Sequence, residues 1–253
     1  VGLSNQIVPT RPSAKKRFIV RRGRMHEVPL GPWSFLTSGL LSPLGKFRLM
    51  MEPFRTQRGK LTDTARQFFD RRFGPEASRI MAGAFISGVY AGNPEELSAP
   101  AAFPLFWRFE QESGGMIRGA FRYRRERRAK RIAAGIDPAS RRGLFTFAGG
   151  LGRISDGVAQ ALGDRLIVDA AALSIRHDKD GFHVVSQKGT FRSSKLILAI
   201  PPQQASLLLA PVDPELGTLL GRIPLAPVAV VHMGFSSGAP QIPDGFGFLS
   251  PRR

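Results

Sequence analysis

Cysteine is absent from the 253 residues, which excludes a disulfide framework, a thiolate metal site and a cysteine nucleophile and leaves stability to packing. Long apolar runs are also missing. The longest nearly uncharged stretch, 80–92, falls short of the ~18 residues that a membrane-spanning helix needs, so no span is predicted. Acidic residues are scarce: 19 Asp plus Glu face 37 Lys plus Arg, a net charge of +18. A field of that sign attracts nucleic acid, anionic lipid or acidic substrates without choosing among them. The four histidines, His26, His177, His183 and His232, lack metal-ligand spacing, and no carboxylate pair stands out as an acid–base dyad. No catalytic and no metal-ligating residue is therefore assigned. The chain opens at Val1, without an initiator Met or the charged leader and apolar core of a secretory signal. The expectation is a fragment of a longer chain, with no signal peptide.

An apolar content of 42% is ordinary for a packed globular protein and predicts a real core. Arg17-Phe18-Ile19-Val20 is strand-like, and Arg22-Gly23-Arg24 turns it into a second extended piece ending at Pro29, which predicts a hairpin. From Leu30 to about Met51 the Pro, Gly and Ser content predicts short helices joined by turns. Asp63 is placed to cap a helix carrying Ala65, Phe68, Phe69 and Phe73, with Gly74 at its end and Pro75 opening another. That second helix, 76–89, is small and apolar nearly all round, as a helix buried on several sides should be. Beyond a boundary near 143, extended Leu144–Phe147, a Gly149-Gly150 break and a helical pattern over 153–162 follow. Strands are predicted at 166–168, 172–176, 182–186, 196–200, 228–233 and 246–249, with turns at Asp180-Gly181 and Lys188-Gly189. There is no internal repeat.

Two stretches invite a functional reading. Gly149-Gly150-Leu151-Gly152, set between a strand and a helix and followed by a second strand and Asp169, mimics a dinucleotide-binding unit, but Ser155 stands where the third glycine belongs. The alternative is a tight turn that needs positive backbone angles. The basic run 118–131, with Phe121 and Tyr123 available to stack on bases, could grip phosphates. Its alternative is a solvated helix or loop, and with no nucleic-acid motif beside it no nucleic-acid partner is expected.

Several segments together resemble the protoporphyrinogen oxidases. They are Lys16-Arg17-Phe18-Ile19 with Gly23 and Pro29, then Gly74-Pro75-Glu76, then the string Gly88-Val89-Tyr90-Ala91-Gly92-Asn93-Pro94-Glu95-Glu96-Leu97-Ser98 with Phe103-Pro104. Gly149-Gly150 and its helix resemble the family's return into the flavin domain, which lowers the dinucleotide-loop reading. Leu196–Pro201 resembles the strand before the chain crosses back, and Pro227–Val231 and Gly245–Leu249 resemble the substrate-domain sheet.

The resemblance implies an α/β (α+β) chain, a partial FAD-dependent oxidoreductase fold with a helical domain and a mixed or antiparallel substrate-domain sheet. Its parts would be a substrate-domain hairpin over 1–29, a helical, membrane- and substrate-facing domain over 30–142, a partial FAD-binding domain over 143–210 and returning substrate-domain strands over 211–253. The implied activity is FAD-dependent oxidation of protoporphyrinogen IX, with this chain an incomplete central portion that is expected to be inactive alone. The family's two main flavin motifs lie outside the segment matched here. Arg17 matches the arginine that pairs with a substrate propionate, and bidentate guanidinium–carboxylate pairing makes that sensible. Phe85, Gly88 and Val89 fall on the helix lining the family's pocket, and Phe246, Gly247 and Leu249 on its opposite wall. Ala172 stands where a valine backbone meets the FAD adenine. The implied partners are a porphyrinogen, an anionic membrane surface and a second copy of the chain, and the implied location is cytoplasmic or on the cytoplasmic face of a membrane. Another amine-oxidase-like flavoenzyme and a basic nucleic-acid-binding protein remain as alternatives.

Overall fold

The computed structural model describes residues 2–136, 144–236 and 244–251. It divides into two compact units, one of 9–144 and 226–253 and one of 1–8 and 145–225. The domain limits at 142/143 expected above lie outside the described residues.

The first unit is built on a short mixed sheet. Strands β2 (Arg17–Arg21) and β3 (Arg24–Glu27) pair antiparallel from Phe18↔Glu27 to Arg21↔Arg24. The two residues between them, Arg22 and Gly23, have φ of 51° and 73°, the mirror-image turn whose twist matches that of a hairpin. On the other side of β2 lies β8 (Gly247–Leu249), parallel, with Arg17↔Gly247, Phe18↔Phe248 and Ile19↔Leu249 in register. Parallel neighbours need a long crossover, and here the helices of the unit intervene.

Those helices are α1 (Pro32–Thr37), α2 (Pro43–Met50), α3 (Ala65–Phe73), α4 (Pro75–Ala77), α5 (Gly83–Phe85), α6 (Ala99–Ala102), α7 (Pro104–Ser113) and α8 (Met116–Ala133). Helices α4 and α5 join through the wider turns Ser78–Ala82 and Ile86–Tyr90 into one helical run, 75–90. The Ser42 hydroxyl accepts from Gly45 N at the start of α2, 3.0 Å. At the start of α3 the expected Asp63 cap is replaced by Thr64, whose side chain accepts from Gln67 N while Gln67 Oε1 accepts from Thr64 N. This reciprocal pair satisfies two end donors. Asp63 instead holds Arg71 at 2.6 Å.

Two apolar clusters form the interior. One gathers Phe68, Phe69, Ile86, Phe103 and Phe109, and the other Ile19, Leu40, Leu41, Ile80 and Ala84. Between the helices lie three fully buried charges, Glu52, Arg72 and Glu110. The Glu52 carboxylate accepts from Arg72 Nε at 2.9 Å and from the first amides of α8, Met116 N at 2.6 Å and Ile117 N at 3.1 Å. A carboxylate there meets the positive end of the helix. Glu110 accepts from Arg71 and from Gly59 N. Gly119 lets α8 approach α7 closely, since a Cβ there would lie 2.7 Å from Phe109 Cα.

In the second unit, β1 (Ile7–Pro9) pairs with β4 (Phe145–Phe147). The break at Gly149 and Gly150, with φ of 89° and 93°, leads to α9 (Gly152–Leu162). Strands β5 (Ala172–Asp178), β6 (Gly181–Ser186) and β7 (Gly189–Ser193) form an antiparallel meander, and α10 (Pro202–Leu209) and α11 (Pro214–Gly221) follow.

Segments 166–168, 196–200 and 228–233, expected as strands, make no ladder among the described residues. Their composition is strand-like, but a strand is completed by hydrogen bonds to a neighbour. The hairpins β2–β3 and β5–β6–β7 carry their neighbours a few residues away; these three segments do not. The run 75–90 also departs from expectation at its end. Its start is buried, whereas Phe85, Val89 and Tyr90 are exposed.

Candidate functional site

The exposed end of the 75–90 helix faces the β2–β8 pair. Gly88 lies so near β8 that a Cβ built on it would fall inside the Leu249 side chain. The neighbouring Ser87 hydroxyl donates to Ser250 O at 3.2 Å. The start of β8 is equally close to β2: Phe246 N donates to Lys16 O at 2.8 Å, and a Cβ on Gly245 would lie 2.7 Å from the Phe18 ring. This approach aligns Arg17 with Gly247 and sets the Arg17 guanidinium over the Phe246 ring, 5.4 Å from its centroid. The pair is a cation–π contact. Gly247 has nothing within 4 Å of its Cβ direction, so the surface beside Arg17 stays open. Arg17, Gly88, Phe246, Gly247 and Leu249 thus meet through β2, β8 and the helix end.

Phe85 and Val89 extend this surface along the helix. Their exposures of 41% and 59%, with 55% for Phe246, mean that large apolar groups remain uncovered, as a flat apolar ligand requires. Phe85 packs edge-on to Tyr90, which packs edge-on to Phe103. The Tyr90 hydroxyl donates to Ala102 O at 3.1 Å. Sequence reasoning passed over Ser87, Tyr90 and Ser250 as supports; the adjacency of Ser87 to Gly88 was their one signal.

The long string 88–98 has a structural task as well. Ala91 turns the helix end with φ of 49°, and Asn93 O accepts from Leu97 N at 3.0 Å. The loop carbonyls of Leu97 and Pro94 then accept from Ala65 N and Arg66 N at 2.7 and 2.9 Å. These are end donors of α3 with no partner inside their own helix.

Ala172 belongs to the other unit. It is the first residue of β5, exposed, opposite Ser186, with a register irregularity before Ser174. Strand β4, the Gly149-Gly150 turn and α9 reproduce the strand–turn–helix half of a dinucleotide unit. The following segment 166–168 makes no ladder among the described residues, so the unit lacks its second strand there. Of the histidines, His183 Nε2 lies 3.1 Å from Asp178 and His177 stacks on Phe182 at 4.3 Å. The Asp178 carboxyl is held below its usual value by the Asp180 amide and by His183. Among the described residues no group of three or more His, Asp or Glu is placed to hold a metal ion.

Residues 1–250 match the model of the flavin containing amine oxidoreductases. The chain belongs to that family. It is 29% identical over 273 residues to protoporphyrinogen oxidase 2 of Arabidopsis thaliana, covering 95% of this chain and 52% of the relative. Protoporphyrinogen oxidase of Bos taurus is also 29% identical, over 275 residues, with 99% and 54% covered. A solved Exiguobacterium structure provisionally assigned as a protoporphyrinogen oxidase superposes with a TM-score of 0.57 at 20% identity, over 85% of this chain and 47% of that one. The fold is therefore a partial FAD-dependent oxidoreductase fold of mixed helices and sheets. The chain spans about half the length of these relatives. No helix among its described residues is long and apolar enough to cross a membrane.

Proposed function

We propose that the protein oxidises protoporphyrinogen IX to protoporphyrin IX with FAD, and that the surface around Arg17 is its substrate wall. The observation that carries this reading is the meeting of Arg17 with Phe246, Gly247 and Leu249 on β2–β8 and with Gly88 on the helix end. A porphyrinogen is broad, apolar and edged by carboxylates. It needs apolar groups and glycines over its face and a permanent cation at its rim. The hydride acceptor in such a reaction is the isoalloxazine, so the protein mainly binds and orients the substrate. Arg17 would anchor a propionate, and Phe246 beneath its guanidinium would fix the direction of that anchor. Ala172 would meet the adenine end of FAD through its main chain.

The names of the curated relatives support the substrate, and the family supports the flavin. The other reading within the family is oxidation of an amine. Anaerobic mixing of the full-length flavoprotein with protoporphyrinogen IX, or with a panel of primary and secondary amines, separates the two. Rapid anaerobic flavin bleaching by the porphyrinogen is expected, with porphyrin fluorescence appearing once oxygen is admitted to reoxidise the flavin, since porphyrin formation releases six electrons and each flavin takes two at a time; bleaching by amines alone would reverse the assignment.

A further inference from the structure

The far end of β2 carries a second cluster of cations that the substrate wall does not use. Arg21 and Arg22 form part of the lining of two cavities, of about 540 and 400 Å³. The larger is also lined by Arg24 and His26, the smaller by Arg79 and Ser250. Among the described residues no carboxylate lines either cavity. Arg21 is already neutralised by Glu76 at 3.2 Å and donates to Leu40 O. The side chains of Arg22, Arg24 and Arg79 make no hydrogen bond or ion pair among the described residues. Each cavity therefore sets Arg22 and one further arginine, Arg24 in the larger and Arg79 in the smaller, beside the pinned Arg21.

The backbone adds an independent observation. Arg22 stands in the left-handed region, φ 51°, at the first position of a turn that Asn, Asp or Gly would occupy with less strain. An arginine here is poorly chosen for the turn and well chosen for charge. Strain of this kind is kept where another requirement fixes the residue.

We infer that the β2–β3 turn and Arg79 form a site for a phosphate group. A phosphomonoester carries about −1.5 to −2 charges and three acceptor oxygens at neutral pH, more than a lone carboxylate can present to several guanidinium forks. The site is distinct from Arg17. Four steps along β2 lead from Arg17 to Arg21, about 13 Å at the usual rise. It does not depend on the identity of the oxidised substrate.

Two sources share this chemistry, a soluble phosphate and the headgroup of phosphatidic acid. The full chain is titrated calorimetrically with inorganic phosphate at constant ionic strength, and floated with vesicles of phosphatidic acid or phosphatidylglycerol matched in surface potential. Arg22→Asn suits the left-handed turn and keeps the fold, and Arg79→Gln removes the facing cation from a different element. Saturable phosphate binding, weakened at least tenfold in both variants and unchanged in Arg124→Gln, supports the site with a soluble ligand. A preference for phosphatidic acid that both variants abolish supports it with a headgroup ligand. Wild-type behaviour of Arg22→Asn and Arg79→Gln in both arms, or neither saturable phosphate binding nor a phosphatidic acid preference in the wild type, overturns the inference.

Discussion

In the unit of 9–144 and 226–253, buried aromatic rings surround a charge network in which Arg72, Glu52 and Glu110 are wholly shielded from water. In the unit of 1–8 and 145–225, the buried apolar side chains among the described residues are Phe147, Ile175 and Ala205, while Ile197 and Leu207 are 90% and 77% exposed. The first unit is closed by its own contacts, with helix ends satisfied by loop carbonyls and carboxylates. The second is held by local turns between β5, β6 and β7 and by packing of α10 on α11; large apolar side chains stay exposed in both units, Trp33, Leu61 and Val231 in the first as well as Ile197 and Leu207 in the second. The difference places the defined candidate substrate surface on the unit with the better-formed interior, which suits a site whose geometry must be fixed.

The largest expected effect comes from breaking the closed interior. Arg72→Ala leaves Glu52 and Glu110 buried without their shared cation, and removal of one partner of a buried pair typically costs about 3–5 kcal/mol. Hydrogen exchange should show amides of α3, α7 and α8 losing protection while those of β5–β7 keep theirs. Equal loss in both units would contradict a role for the Arg72 network confined to α3, α7 and α8.

Next in size is the basic face of α8, where Arg124, Arg125, Arg127 and Arg128 are exposed and Arg127 lies over the Tyr123 ring at 5.5 Å. We propose that this face meets anionic membrane, each basic residue contributing on the order of 1 kcal/mol at low salt. Replacing the four by Gln should reduce sedimentation with anionic vesicles while leaving turnover of detergent-dispersed substrate intact. Unchanged sedimentation would make the face merely solvated.

A smaller effect is expected at the start of α3. Thr64→Ala removes half of the capping box and should destabilise the helical unit by about 1 kcal/mol in urea titration; Asp63→Ala acts through Arg71 instead, and its double mutant with Arg71→Ala should be non-additive. The smallest is a pH effect at Glu76. Burial alone would raise its carboxyl, but hydrogen bonds from the Ser42 hydroxyl and amide, with Arg21, hold it below its ordinary 4.5. Its contribution is therefore full above the unfolded value and is lost as pH falls through the lower folded one. The stability gap between wild type and Glu76→Gln should narrow on acidification below that range, and a constant gap would show that Glu76 titrates alike in both states.

The hairpin 17–27 was legible because Gly23 and its flanking alternation specify a local partner, and α3 was legible because Phe68, Phe69 and Phe73 repeat at helical spacing. The cap was misplaced by one residue because Asp63 and Thr64 are both good caps; only Gln67, three after Thr64, distinguishes them. Segments 196–200 and 228–233 read as strands, since composition reports preference for a ladder but not the presence of its other side. Arg72 and Glu52 could not be paired from sequence, being 20 residues apart and typical of exposed positions. The site residues were named through family resemblance. What the residues alone withheld was that Gly88 and Leu249 touch, a contact made across most of the chain.

The central claim is that Arg17 and the β2–β8 pair hold a carboxylate-edged substrate. Steady-state oxidation of protoporphyrinogen IX by the full-length enzyme and its Arg17→Ala and Arg17→Lys variants tests it most directly. Loss of a charge-assisted pair worth roughly 1.5–3 kcal/mol predicts that kcat/KM falls about ten- to a hundredfold for Arg17→Ala, mainly through KM, with partial recovery in Arg17→Lys. Wild-type kinetics in Arg17→Ala would contradict the account and remove this surface from the active site.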